Sequence, residues 1–163
     1  MIVLGIDPGT RITGYGCVRL GARSGEPALI EAGVVTLRAG SSLESRLAEL
    51  HASLAELIAE LKPTHIAVEK LYAHYKHPRT AILMAHARGV ILLAAEQAGL
   101  TIHHLPSTEV KKSITGYGHA SKQQIQQAIQ SHFRLPEPPS PPDVADALAI
   151  ALTAARRLCG VPV

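Results

Sequence analysis

The chain has 163 residues, 47% of them hydrophobic and 18% charged, which is enough to bury a core and too apolar for a disordered chain. A formal charge of +3 is compatible with a polyanionic partner but does not require one. Two cysteines outside any CxxC pair, an N-terminal apolar run that meets an acid at Asp7, and an apolar stretch at 81–93 interrupted by His86 and Arg88 argue against a disulfide scaffold, a secretory leader and a membrane span. The expectation is a cytoplasmic protein with one domain over 1–163 and no membrane partner.

Ile2-Val3-Leu4-Gly5-Ile6-Asp7 reads as a short buried strand that runs into a Pro8-Gly9 turn. Asp7 stands at its carboxyl end, where open α/β sheets place their ligands. The competing reading is an aspartate that begins a turn through its own side chain. Residues 14–20 and 29–37 read as two further strands, separated by a Gly/Ser-containing turn at 21–25, and complete an antiparallel meander. Ser41 and Glu44 have capping-box spacing. Leu43, Leu47, Leu50, Leu54, Leu57 and Leu61 then mark one face of a helix that Pro63 stops.

Residues 65–69 form a fourth strand that again ends in an acid, Glu69. Tyr72, Tyr75, Lys76 and Arg79 follow, aromatics among cations that suit stacking on an unpaired base beside held phosphates. Core packing is the other reading of Tyr72. His74 and His77 are spaced as a metal pair but have no further clustered ligand. Pro78 opens a helix to about Ala98 that is apolar on most of its surface, suited to a central core position or a dimer interface, and Gly99 ends it. A fifth strand covers 100–105. Short helices follow at 107–114 and 122–132, the second with a capping box of Ser121 and Gln124. Five prolines make 135–142 irregular, and a last helix covers about 143–158. This pattern predicts an α/β fold, a five-stranded mixed sheet with helices on both faces.

Asp143 and Asp146, three apart, share one face at the start of the last helix. Complementing the helix dipole is one explanation. The apolar company of Val144, Ala147, Leu148, Ala151 and Leu152 favours another, acids lining a cleft. With the first and fourth strands as neighbours, Asp7, Glu69, Asp143 and Asp146 meet at one sheet end. Four such carboxylates repel, and divalent cations resolve the repulsion. Oxygen donors select Mg²⁺ or Mn²⁺ over zinc, and a pair of ions suits phosphodiester cleavage. Lys111, Lys112 and Lys122 bracket a glycine-bearing loop at 115–119, either as ordinary surface lysines or as phosphate contacts.

Gly5-Ile6-Asp7-Pro8-Gly9-Thr10, Thr13-Gly14-Tyr15-Gly16, Val68-Glu69, Ala87-Arg88-Gly89-Val90 and Asp143-Val144-Ala145-Asp146-Ala147-Leu148-Ala149 together resemble the RuvC-type Holliday-junction resolvases, over essentially the whole chain. The resemblance implies an RNase H-like fold, a homodimer and Mg²⁺-dependent cleavage of four-way DNA junctions. It also implies a metal site of Asp7, Glu69, Asp143 and Asp146, two ions per site with Mn²⁺ as a substitute, and a branch-migration complex of RuvA and RuvB as partner. Some members carry histidine where this chain has Asp143, which makes Asp146 the firmer of the pair. Lys111 and Lys122 match basic residues near the scissile phosphate, and Tyr72 matches an aromatic, usually Phe, that contacts bases at the junction centre.

The alternatives are an RNase H-like nuclease with another nucleic-acid substrate and a non-catalytic DNA-binding dimer. The second leaves four acids facing DNA unexplained. An ATPase of the actin/Hsp70 class shares the first loop, but 163 residues do not supply its two large lobes.

Overall fold

The computed structural model describes residues 1–21, 26–71 and 78–160. Strands β1 (Ile2–Asp7), β2 (Ile12–Arg19) and β3 (Ala28–Thr36) come first, followed by helix α1 (Leu43–Leu61), β4 (His65–Glu69), α2 (Pro78–Gln97) and β5 (Thr101–Leu105). Helices α3 (Ser107–Thr115), α4 (Lys122–Phe133) and α5 (Pro142–Leu158) complete the order. The sheet runs β3-β2-β1-β4-β5. Its first three strands form the expected antiparallel meander, and β4 and β5 run parallel to β1.

The period of two along a strand decides which side chains meet which layer. In β1, Leu4 and Ile6 pack with Ile66 and Val68 of β4 against α1 and α2. Val3 and Ala67 face the opposite way, onto α5, α4 and α3. Gly5 lies on that second face too: a Cβ there would overlap the Ala147 carbonyl oxygen and stand 2.8 Å from the Ala151 Cβ. Asp7 and Glu69 follow in phase, so both acids project toward α5.

Helix α5 is the central one. Every residue from Val144 to Ala155 except Asp146 is buried, so it is apolar nearly all round, as a core helix is. Six of these are alanines, and the small side chains let it lie close on the glycine-bearing strands. Helix α2, for which a central position was one expectation, instead packs one face against α1 through Ala87, Ile91, Ala94 and Ala95. It leaves Ile82 60% and Leu93 52% exposed.

The expected cap of α1 is corrected by one residue. Ser42, not Ser41, is the N-cap, and its hydroxyl accepts from the Ser45 amide at 3.3 Å. Because the helix begins at Leu43, Glu44 lies inside the first turn and Ser45 occupies the position that a capping-box acid would need. The Ser121/Gln124 box at α4 is present in both of its hydrogen bonds. Strand β2 starts two residues earlier than expected, because the ladder with β1 extends to the Asp7–Gly14 pair and Ile12 pairs with Thr36 of β3.

Candidate active site

Strands β1 and β4 are parallel neighbours with Ile6 opposite Val68, so Asp7 and Glu69 finish level at the same sheet end. The start of α5 brings Asp143, in its first turn, and Asp146, one turn on, beneath them. Gly14 allows this approach: a Cβ there would overlap the Asp143 carbonyl oxygen and stand 3.2 Å from the Asp143 Cβ. All four acids line one cleft of about 390 Å³, together with Thr10, Ser107, Lys111 and Lys122.

The backbone around the acids is fixed by one local contact, from Thr13, and by distant ones from Arg46 and Arg88. Buried Thr13 spans the Pro8-Gly9 turn: its hydroxyl accepts the Gly9 amide at 3.3 Å and donates to the Gly9 carbonyl at 3.2 Å. Arg46 Nη1 of α1 donates to the Thr10 carbonyl at 2.9 Å. Arg88 Nε of α2 donates to the Glu69 carbonyl at 3.0 Å, and its Nη2 lies 2.7 Å from His104 Nδ1. An arginine only donates, so the imidazole presents its lone pair at that nitrogen. The sequence displayed Thr13 and Arg88 within its motifs but held no sign of these partners: Gly9 is 4 residues from Thr13, Glu69 is 19 from Arg88, and Thr10 is 36 from Arg46.

Charge in the cleft is unbalanced. Burial first, then the charges of Asp146, Glu69 and Asp143, push the Asp7 carboxyl up to about 8. Glu69 and Asp146 are also raised, chiefly by burial, and Lys111 and Lys122 pull both the other way. Lys122 Nζ lies 3.4 Å from Asp146 Oδ2. Burial lowers the Lys122 ammonium's proton affinity, but the facing acids, Asp146 foremost, hold it above its ordinary value.

The donor set fits hard divalent cations. It consists of carboxylate oxygens whose mutual repulsion only a proton or a cation relieves. Among the described residues no three His, Cys, Asp or Glu side chains close into a ready-made ligand group. The acids line an open cleft instead, which suits an ion that keeps several of its waters and takes one or two carboxylates, as Mg²⁺ does.

Of the other expected DNA-facing residues, Lys111 and Lys122 reach the cleft from α3 and α4. Lys112 and Arg79 are exposed on α3 and α2 and do not line it. Tyr72, Tyr75, Lys76, His74 and His77 lie outside the described residues.

The two helix acids are separable. Asp146→Asn is expected to be inactive at every metal concentration, because the half-buried Asp146 is the acid whose charge acts most strongly on Asp7 and is paired with Lys122. Asp143→His is expected to retain cleavage, better with Mn²⁺ than with Mg²⁺ because imidazole suits Mn²⁺ more. A metal titration of cleavage by each variant checks this, and a fully active Asp146→Asn enzyme would return both acids to the helix dipole.

The family model described as crossover junction endodeoxyribonuclease RuvC matches residues 3–154. The crossover junction endodeoxyribonuclease RuvC of Rhodopirellula baltica is 49% identical over 151 residues, 92% of this chain and 83% of that protein. The counterpart from Heliobacterium modesticaldum is 44% identical over 158 residues, 97% of this chain and 96% of its own length. The structure of Thermus thermophilus RuvC in complex with a Holliday junction substrate superimposes with a TM-score of 0.86 at 33% identity, covering 99% of this chain and 97% of that one.

Proposed function

This chain belongs to the RuvC family of crossover junction endodeoxyribonucleases, and we propose that Asp7, Glu69, Asp143 and Asp146 are the carboxylates with which it holds two Mg²⁺ ions. It is a metal-dependent endonuclease with an RNase H-like fold that resolves four-way DNA junctions in recombination and repair. One nuclease domain spans 1–163. The observation that supports the residue assignment is the meeting of four acids at one sheet end, with Asp7 raised to about 8.

Bound there, the ions supply activation of a water nucleophile and charge stabilisation for the leaving 3′ oxygen, giving 5′-phosphate and 3′-hydroxyl ends. The chain's own residues set the positions. Asp7 and Glu69 sit on strand ends inside a sheet, and Asp143 and Asp146 on a buried helix, so four ligands stand on rigid elements. Lys111 and Lys122 carry positive charge into the same cleft, where it draws in a backbone phosphate and offsets charge that grows in the transition state. Exposed Lys112 and Arg79 meet phosphates of the junction arms outside it. Tyr72 and Lys76 lie beyond the described residues; Tyr72 enters by the family resemblance, stacking a base at the junction centre, and Lys76 as a neighbouring cation that holds a phosphate.

Ile82, His86, Gly89 and Leu93 form an exposed stripe at helical spacing on α2. We assign this stripe to a two-fold partner. A homodimer with two-fold symmetry presents two clefts, one for each of two symmetric strands. The RuvA and RuvB branch-migration complex is the proposed partner on the junction. The cytoplasm is the proposed place of work; among the described residues no helix is long and apolar enough to cross a membrane, and Cys17 and Cys159 are free.

Cleavage assays on a four-way junction, a linear duplex and an RNA–DNA hybrid test the substrate reading. Metal-dependent nicking of the junction alone is expected; preferential cleavage of the hybrid would favour the other RNase H-like substrate class, and tight binding without cleavage a non-catalytic dimer. The lysines have their own test. Lys111→Ala and Lys122→Ala are each expected to weaken junction binding and to reduce the slope of log affinity against log salt by about 0.9 per lost phosphate contact. An unchanged slope with unchanged cleavage would make both ordinary surface lysines.

A further inference from the structure

Tyr117 is 59% exposed, a large aromatic ring left in water on the loop between α3 and α4. The loop is nevertheless tied down at almost every residue. The Thr115 hydroxyl lies 2.8 Å from the Lys111 carbonyl and 3.1 Å from the Tyr117 carbonyl, and it accepts the Tyr117 amide at 3.2 Å. Gly116 takes the left-handed conformation with φ of 76°, which a side chain would strain, and its amide donates to the Lys112 carbonyl. The Ala120 amide closes a turn onto the Tyr117 carbonyl at 3.2 Å, and Ala120 itself is buried in the core. Ser121 then caps α4. The Tyr117 ring meets the His119 ring edge-on, with centroids 5.7 Å apart.

The loop also adjoins the cleft: Lys122, which lines it, follows the loop directly. It joins the helix that contributes Ser107 and Lys111 to the cleft to the helix that contributes Lys122 and Ile125. It folds back on the start of the first of these: a Cβ on Gly118 would come 3.3 Å from the Thr108 carbonyl oxygen, next to Ser107. A preordered, exposed aromatic on a loop that runs between Lys111 and Lys122 has the chemistry that recognises an unpaired base, because every base offers a π-face while the cations hold its backbone. A tyrosine ring has only two side-chain torsions to fix, so holding it costs little entropy.

We propose that Tyr117, steadied by His119, is a base-stacking site beside the cleft, taking an unpaired nucleobase next to the phosphate that Lys111 and Lys122 approach. This rests on the reading of the cleft as the DNA site and adds a contact on the side formed by α3 and α4. Stacking is sequence-tolerant, so the site holds the strand in place and does not read it.

The test compares wild type with Y117F, Y117L and Y117A on a four-way junction carrying 2-aminopurine beside the exchange point. Fluorescence is read in EDTA and single-turnover cleavage in Mg²⁺. Wild type and Y117F are expected to quench the unstacked 2-aminopurine. Y117L and Y117A are expected to leave it bright and to cleave about tenfold more slowly, since the ring and not its bulk does the work. All four should melt alike, because the ring is exposed. Quenching and cleavage by Y117A at wild-type levels, while Lys111→Ala remains impaired, would overturn the stacking site and leave the cleft reading standing. Normal behaviour of Y117L would overturn it too. Failure of wild type to bind the junction at all would overturn the cleft reading, and this proposal with it.

Discussion

Asp7→Asn is expected to lower junction cleavage by roughly a thousandfold or more while making the metal-free protein more stable. The loss follows from removing one charged ligand, since metal-ion charge stabilisation supplies several kcal/mol of the barrier reduction and each 1.36 kcal/mol is about tenfold. The gain follows from linkage. In the folded chain the Asp7 carboxyl is raised from 3.8 to about 8, by burial and by Asp146, Glu69 and Asp143. Between those two values the folded state keeps a proton that the unfolded state releases. Stability therefore falls as pH rises from about 4 to about 8, and the penalty is complete above that. Asparagine never ionises and escapes a cost on the order of a few kcal/mol. Thermal melts of the metal-free proteins at pH 5 and pH 9 check the sign: the variant's advantage should be small at pH 5 and large at pH 9. Added Mg²⁺ should stabilise wild type by binding the folded state and stabilise the variant much less. Parallel pH profiles with undiminished cleavage would remove Asp7 from the site.

The second large effect is expected at a residue that carries no chemistry. Gly14→Ala places a Cβ on the Asp143 carbonyl oxygen, and neither backbone gives way cheaply. The first turn of α5 must shift, and Asp143 and Asp146 move with it. Overpacking of this kind costs about 1–3 kcal/mol. A displacement near 1 Å at a reacting centre costs about a hundredfold in rate. A melt beside a single-turnover time course should show both, with the slow cleavage persisting in the fully folded protein. If the folded variant cleaves at the wild-type rate, Gly14 serves packing alone.

Much of this site is legible in the sequence because its acids obey simple periods. Val3, Gly5 and Asp7 alternate with Leu4 and Ile6, His65, Ala67 and Glu69 alternate with Ile66 and Val68, and Asp143 and Asp146 share a helix face. Two such strands need only be neighbours for the acids to meet, and they are. The choice of central helix is not legible in the same way, because α2 and α5 are both apolar on most sides. What distinguishes α5 is its close fit on strand glycines, with Ala147 and Ala151 on Gly5, Asp143 on Gly14 and Leu148 on Gly16, a match between segments more than 120 residues apart. The true cap of α1 is hidden by two adjacent serines that offer the same chemistry one residue apart. The supports from Thr13, Arg46 and Arg88 depend on where a folded carbonyl points, which no local pattern encodes. Tyr117 reads in sequence only as a loop residue. Its exposure, the ties on its loop and the fold-back onto Thr108 appear only in three dimensions.

The central claim is that these four carboxylates hold the cations. The most direct measurement counts Mn²⁺ by electron paramagnetic resonance, bound to the protein on a four-way junction whose scissile linkages resist hydrolysis. Two ions per chain are expected for wild type, and fewer for Asp7→Asn and for Asp146→Asn with junction binding preserved. An equal count in all three proteins, or none in wild type, would contradict the assignment.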